Sequence, residues 1–403
     1  MQRTLIIAGS VIVILGLATF GYFYFFTGPS VEVAPDGTTT LPLAGQTPTD
    51  NGGQGSTSGT PTITSPGTPV TVTNRLVQIS TGPVVPGAVV TDSKATAATS
   101  SPIVATATYI ERQSGNVFTY RADTHTLTRI NNKTLPGIQS AVWLPNAGVA
   151  FVRYLSGGDF STINTYALLA TSSNGFFLPQ NLSDIAVSST NILTLASGVN
   201  GSIASLARTD GTKSATLFTT PLTSLRIAFA GKGKYLAFSK PSAALPGSAY
   251  LVDSLGRFSR IAGPLPGLVA LASPSGKWVL VSYTEGSAIL LQLVNVSTGA
   301  VLSLPVSTIA DKCVWTTDES SIYCGVPVST PAASYPDDWY QGVIQFSDRI
   351  WNIHVADRYA QMVLDFSQVD KGSLDAIGLA VDPAKTVLIF MNKNDDSLWS
   401  YSL

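Results

Sequence analysis

The sequence predicts an all-β protein, a seven-bladed β-propeller with four-stranded antiparallel blades, preceded by one transmembrane helix and a disordered linker. Three observations carry that expectation. A charge-free apolar run opens the chain, a Thr/Pro/Gly-rich stretch follows it, and a strand–turn–strand unit then recurs at a period of roughly 40–50 residues. The composition agrees. Of 403 residues only 12% are charged and 44% are hydrophobic, which suits short strands joined by turns better than a charged, helix-rich enzyme.

Residues 1–3 form the expected cytoplasmic N-terminus, and residues 4–26 the membrane span. No charge interrupts residues 4–26, which as a helix would reach roughly 34 Å, against a hydrocarbon core of about 30 Å. Arg3 precedes the run, Tyr22, Phe23, Tyr24, Phe25 and Phe26 close it, and no further Lys or Arg occurs before Arg75. An aromatic belt and the positive-inside rule then place the remainder outside the cytoplasm, at the surface of a cell membrane crossed once. A cleaved signal peptide is the alternative, but its apolar part would be shorter and end at small residues.

Residues 27–73 carry Glu32, Asp36 and Asp50 but no basic residue. Such a segment buries too little apolar surface to offset its ordering entropy, and as a coil it would span roughly 40 Å. It reads as a tether, with Pro61, Pro66 and Pro69 as local stiffeners and its threonines as sites open to O-glycosylation.

The repeat occupies residues 74–403. Its clearest copies are AVWLPNAGVAF (141–151), IAFAGKGKYLAF (227–238) and LASPSGKWVLV (271–281). Weaker copies are IAVSSTNIL (185–193), CVWTTDESSIYC (313–324) and LAVDPAKTVLI (379–389). Two further strands follow each hairpin, which gives complete units starting near residues 138, 183, 223, 267 and 309 and a first blade within 84–135. The C-terminal stretch supplies only three strands. Residues 75–80 read as the missing fourth, so that both ends of the repeat region close one blade and leave no open sheet edge.

The turn pattern aromatic-x-Pro-x-Gly-Lys-x-apolar-apolar, best seen at 226–239 and 269–282, resembles the TolB-like, WD-related propeller repeat. That repeat also occurs in propellers of prolyl-oligopeptidase-type peptidases. The resemblance covers roughly 74–403 and implies a fold and a binding-scaffold role, without catalytic residues. The stretch YPDDWYQG (335–342) and the Cys313–Cys324 hairpin further resemble surface propellers of small-genome bacteria.

Site chemistry is sparse. There is no Gly-x-Ser-x-Gly nucleophile motif, and only His125 and His354 occur, which excludes a His-rich metal centre. His125 reads as a turn residue and His354 as a structural strand residue. NKNDD (392–396) lacks the spacing of a calcium loop and reads as a hairpin turn. Cys313 and Cys324 stand opposite each other across a predicted hairpin, where an oxidising compartment would join them. No cofactor or metal is implied, and without a Lys/Arg run no nucleic acid is expected.

The sixth blade is interrupted by STPAASYPDDWYQG (329–342). Tyr335, Asp337, Asp338, Trp339 and Tyr340 are the candidate binding residues, because aromatics beside acids dominate interface hot spots. The competing reading has Trp339 filling a groove between blades. The expected function is a membrane-tethered, non-catalytic binding or scaffold module for a protein, peptide or glycan at the cell surface. The alternatives are a surface hydrolase or lyase using channel or insertion carboxylates, and a structural envelope component.

Overall fold

A computed structural model describes residues 75–94, 103–133, 135–172, 174–369 and 373–403. The expected span and the whole of the expected linker lie outside them. Among the described residues no helix is long and apolar enough to cross a membrane.

Seven four-stranded antiparallel sheets form among the described residues. Blades 1 to 6 occupy 89–131, 138–177, 182–220, 225–265, 269–303 and 313–365, each with its strands paired in chain order. The seventh joins residues 376–402 to the strand Leu76–Gln78. First strands of neighbouring blades lie side by side around the axis, and apolar side chains from facing sheets fill the spaces between blades. One such cluster runs through blades 4, 5 and 6, with Leu236, Leu280, Leu293 and Ile353 wholly buried. Alternation explains why these sequences form strands: Ile227, Phe229 and Ala270, Ala272 alternate with residues of the opposite face, as a pleated strand requires.

The ring closes as expected. Leu76, Val77 and Gln78 pair with Tyr401, Ser400 and Trp399. Ile79 N–H donates to Leu398 O at 2.9 Å, and Ser80 Oγ accepts from Leu398 N at 2.9 Å.

Strand direction gives the propeller two unlike faces. Connections between blades and loops between second and third strands share one face, called here the connection face. The tight turns of the other hairpins share the opposite, turn face. The repeat motif sits on the turn face. There Gly276 has φ 72°, and a Cβ on it would lie 1.9 Å from Ala230 O of the neighbouring blade. The glycine of Pro-x-Gly is therefore fixed twice, by its left-handed backbone and by the packing of adjacent turns.

Cys313 and Cys324 form a disulfide between directly paired residues, Cα–Cα 4.1 Å, the narrow spacing of a non-hydrogen-bonded pair. The closed loop is short, so replacing both cysteines by serine should cost about 2–3 kcal/mol. Urea unfolding of oxidised wild type and the double variant would measure it, and an unchanged midpoint would show the bridge to be energetically silent.

Candidate functional site: a cleft at the mouth of the channel

The blade-6 insertion joins the strands Ser321–Pro327 and Asp348–His354, so it lies on the connection face. Part of it is helical, Asp337–Tyr340, where the sequence suggested only a loop. Its inner side is anchored by a buried charge cluster. Lys312, which directly precedes the first strand of blade 6, is wholly buried. Its Nζ pairs with Asp348 Oδ2 at 2.8 Å and with Asp375 Oδ1. Asp375 Oδ2 accepts from Trp339 Nε1 at 2.9 Å and from the Phe346 amide at 3.1 Å. The Lys312 ammonium lies 5.0 Å from the Trp339 ring and 5.2 Å from that of Phe346. Tyr335 and Trp339 each stack with Phe346, at 5.8 and 6.1 Å between centroids.

This geometry separates the five candidate residues. Tyr335 and Trp339 are buried and hold the insertion to the propeller, Trp339 on the blade-7 residue Asp375. Asp338 accepts from the Ser334 amide at 2.7 Å and ties down the loop that leads into the helix. Asp337 accepts from the Ala243 amide of blade 4, and with Tyr340 it faces open space. Those two line a cleft of about 580 Å³ together with Arg226, Lys240, Pro241, Asp311 and Gln341.

The cleft crosses the channel mouth. Arg226 lies on the first strand of blade 4, Leu225–Phe229, and Asp311 directly before that of blade 6. Arg226 Nη1 reaches Asp311 Oδ2 at 2.6 Å past the intervening blade 5, and the Tyr340 hydroxyl donates to the same oxygen at 2.6 Å. Desolvation disfavours the Arg226 charge, but Asp311 and Tyr340 more than compensate and raise its pKa. Desolvation, then Asp311, push the Tyr340 hydroxyl well above its ordinary value, so it is a hydrogen-bond donor at neutral pH. Behind Arg226, desolvation raises the Asp184 carboxyl against the pull of the Ile227 amide and Arg226. Lys240 is exposed at the rim, and among the described residues no carboxylate pairs with its ammonium.

Arg226, Lys240 and Asp311 were not among the sequence candidates. Nothing local marks them, since Arg226 and Lys240 belong to blade 4 and Asp311 precedes the first strand of blade 6, and they meet because the ring brings the connection-face ends of these blades together. His125 sits in a turn at φ 52°, its Nδ1 2.6 Å from the Tyr120 hydroxyl. His354 is on a strand but exposed, lining a turn-face cleft with Lys277, Glu319 and Asp357. Asn392–Asp396 is a hairpin turn, with Asn392 donating to Asp395 Oδ1 at 2.8 Å. No group of His, Cys, Asp and Glu able to hold a metal occurs among the described residues.

No protein-family model matches the chain, and no curated protein matches it. The TolB-like, WD-related likeness therefore rests on the turn motif. Among solved structures, 803 chains match, a breadth that fits a shared architecture. An oligogalacturonate lyase in complex with manganese matches with a TM-score of 0.52 at 8% identity, over 79% of this chain and 98% of that one. Hydrazine synthase of Kuenenia stuttgartiensis matches with a TM-score of 0.48 at 12% identity, over 74% of this chain and 92% of that one. The first likeness shows the fold alone, but it corrects one expectation. The chain was expected not to be an enzyme, for want of a nucleophile motif. A lyase is built on this scaffold, so a missing motif is no ground for excluding catalysis.

Proposed function

We propose that this chain is a binding module, tethered to a membrane by residues 4–26, whose recognition site is the channel-mouth cleft. The observation that supports it best is the construction of that cleft. An insertion absent from the other blades is anchored by Trp339 and the Lys312 cluster, and its outer side presents Asp337, Tyr340 and Gln341 opposite Arg226 and Lys240. Rigid walls with a few convergent polar groups are what a ligand site needs. A photoreactive amino acid at Gln341 in the full chain should capture a defined adduct in living cells, and one at Asp357 on the turn face should not. Equal capture at both positions, or none at Gln341, would sink the proposal.

A second reading places acid–base chemistry in the same cleft. It is favoured by Asp311, whose one oxygen accepts from both Arg226 and Tyr340, and by the likeness to a lyase. Incubation with oligogalacturonate should then release unsaturated products with wild type and not with Asp311→Asn.

For the tether, an impermeant reagent applied to intact cells should label an epitope added after Leu403 and spare one added before Met1. Labelling of neither, or of both, would reject the single-pass topology.

A further inference from the structure

The cleft makes no use of one buried nucleophile. Lys312 is wholly buried, and so are the two carboxylates around it, Asp348 and Asp375. One ammonium faces two acids, so a charge is left unbalanced in a site closed to water, where charge is costly. Asp348 Oδ1 is buried without a hydrogen-bond partner among the described residues, and burial pushes the Asp348 carboxyl up to about 6. A purely stabilising ion pair calls for neither feature. It needs one carboxylate per cation and a partner for every buried oxygen.

The same atoms are arranged for acyl transfer. Lys312 Nζ touches Asp375 Oδ1, one bond from the carboxyl carbon Cγ. The other oxygen, Asp375 Oδ2, accepts from Trp339 Nε1 at 2.9 Å and from the Phe346 amide at 3.1 Å. Two fixed N–H donors on one oxygen stabilise the charge that develops there when a nucleophile adds to the carbon. Asp348 Oδ2 lies 2.8 Å from Nζ, within reach to take its proton. Asp375 is also fixed through its backbone. Its amide donates to Asn392 Oδ1 at 3.0 Å, and its carbonyl accepts from the Lys393 amide at 2.8 Å. The buried rings of Trp339 and Phe346, 5.0 and 5.2 Å from the ammonium, keep water away.

We propose that Lys312 and Asp375 condense into an intramolecular isopeptide bond, with Asp348 as the catalytic residue that relays the protons. Nζ gives a proton to Asp348 and, as a free amine, adds to Asp375 Cγ. The negative charge falls on Oδ2, between the Trp339 and Phe346 donors. Asp348 passes its proton to Oδ1, then takes a second from the nitrogen and passes that on too. The Cγ–Oδ1 bond breaks, Oδ1 leaves as water, and Oδ2 remains as the amide oxygen. One ammonium and one carboxylate are consumed, one amide and one water are formed, and nothing is oxidised or reduced. In solution, ionisation of both groups and the surrounding water oppose this condensation. Burial weakens both, and fixed contact supplies an effective concentration of ~10⁵ M or more. The site exists only once blades 6 and 7 have docked. A newly folded chain is therefore held there by charge and a matured one by the bond. The link joins residues 63 apart in sequence, each directly before the first strand of its blade.

Intact-mass spectrometry of the purified full chain tests this, directly after purification and after incubation at neutral pH. The incubated wild type should be lighter than its disulfide-bonded polypeptide by one water, about 18 Da. A tryptic digest should then contain one branched peptide joining Lys312 to Asp375. Lys312→Met and Asp375→Ala should keep the full mass, but both also disturb a buried charge. The deciding variant is Asp348→Asn, which keeps the shape of the site. It should show an unchanged circular-dichroism spectrum and the full mass, with Lys312 and Asp375 on separate peptides. Full mass in the incubated wild type would overturn the proposal. A branch from Lys312 to Asp348, or linkage as complete in Asp348→Asn as in wild type, would overturn the roles given to the two aspartates.

Discussion

Replacing Lys312 by methionine is expected to cost about 3–5 kcal/mol of stability, the largest effect of any single substitution in the blade-6 region. The ammonium is wholly buried between two carboxylates that are also wholly buried. Removing it leaves Asp348 and Asp375 facing each other with no counter-charge in a dry site. The loss should be smaller at pH 5 than at pH 8, because Asp348, whose pKa burial already raises, can then take up a proton. Asp348→Asn should behave in the opposite way. Burial, with the charge of Asp375 added and that of Lys312 opposing, pushes Asp348 up to about 6 from an ordinary value of 3.8. Between those values the folded protein binds a proton that the unfolded chain does not. This group therefore favours folding increasingly as pH falls from above 6 towards 4, by up to about 3 kcal/mol, and costs stability at neutral pH. Asparagine imitates the neutral form at every pH. The difference between Asp348→Asn and wild type in urea unfolding should be favourable to the variant at pH 8 and shrink as the pH falls. A difference that is flat from pH 8 to 4.5 would show that Asp348 stays ionised throughout.

The second large effect concerns closure. Deleting residues 74–80 should destabilise the propeller by at least about 3–6 kcal/mol, the burial of Leu76 and Ile79 alone. It would also leave the strand Leu398–Ser402 as an unpaired edge, able to add a strand from another molecule. Deleting residues 30–60 should leave the unfolding midpoint of the propeller where it is. Comparing the two deletions by denaturant unfolding and by light scattering separates the outcomes. Similar midpoints would mean that the ring does not depend on this strand.

The blades were legible in the sequence because each must bury the same faces in the same way. A hairpin such as 271–281 repeats its apolar alternation and its Pro-x-Gly turn wherever one blade's turn abuts the next. The disulfide was legible for a related reason, since pairing across a short hairpin is fixed by counting residues. The five insertion candidates were only half legible. Their composition suits an interface and a plug equally well, and the outcome depends on Asp375, which lies in another blade and turns Trp339 inward. The Lys312 cluster and the Arg226–Asp311 pair left no mark in the sequence at all. A single lysine before an apolar strand looks like any surface lysine. Its burial follows from two aspartates contributed by the insertion's far end and by the following blade. Contacts across the ring carry no period, and a reading built on periodicity passes over them.

The closing strand has one more consequence. Ser402 N–H donates to Arg75 O at 2.9 Å, and Arg75 Nε donates to Ser402 O at 3.0 Å, so the two ends of the propeller lie within a residue of each other on the turn face. In space the chain is a loop with a single cut. A circular permutant joining Leu403 to Arg75 through a few glycines, and opened at the exposed turn Asp210–Gly211 between the last two strands of blade 3, would retain the strand pairings of all seven blades. Blade 7, now assembled from the two most distant parts of the chain, would become a local unit, and blade 3 would become the one that waits for both ends.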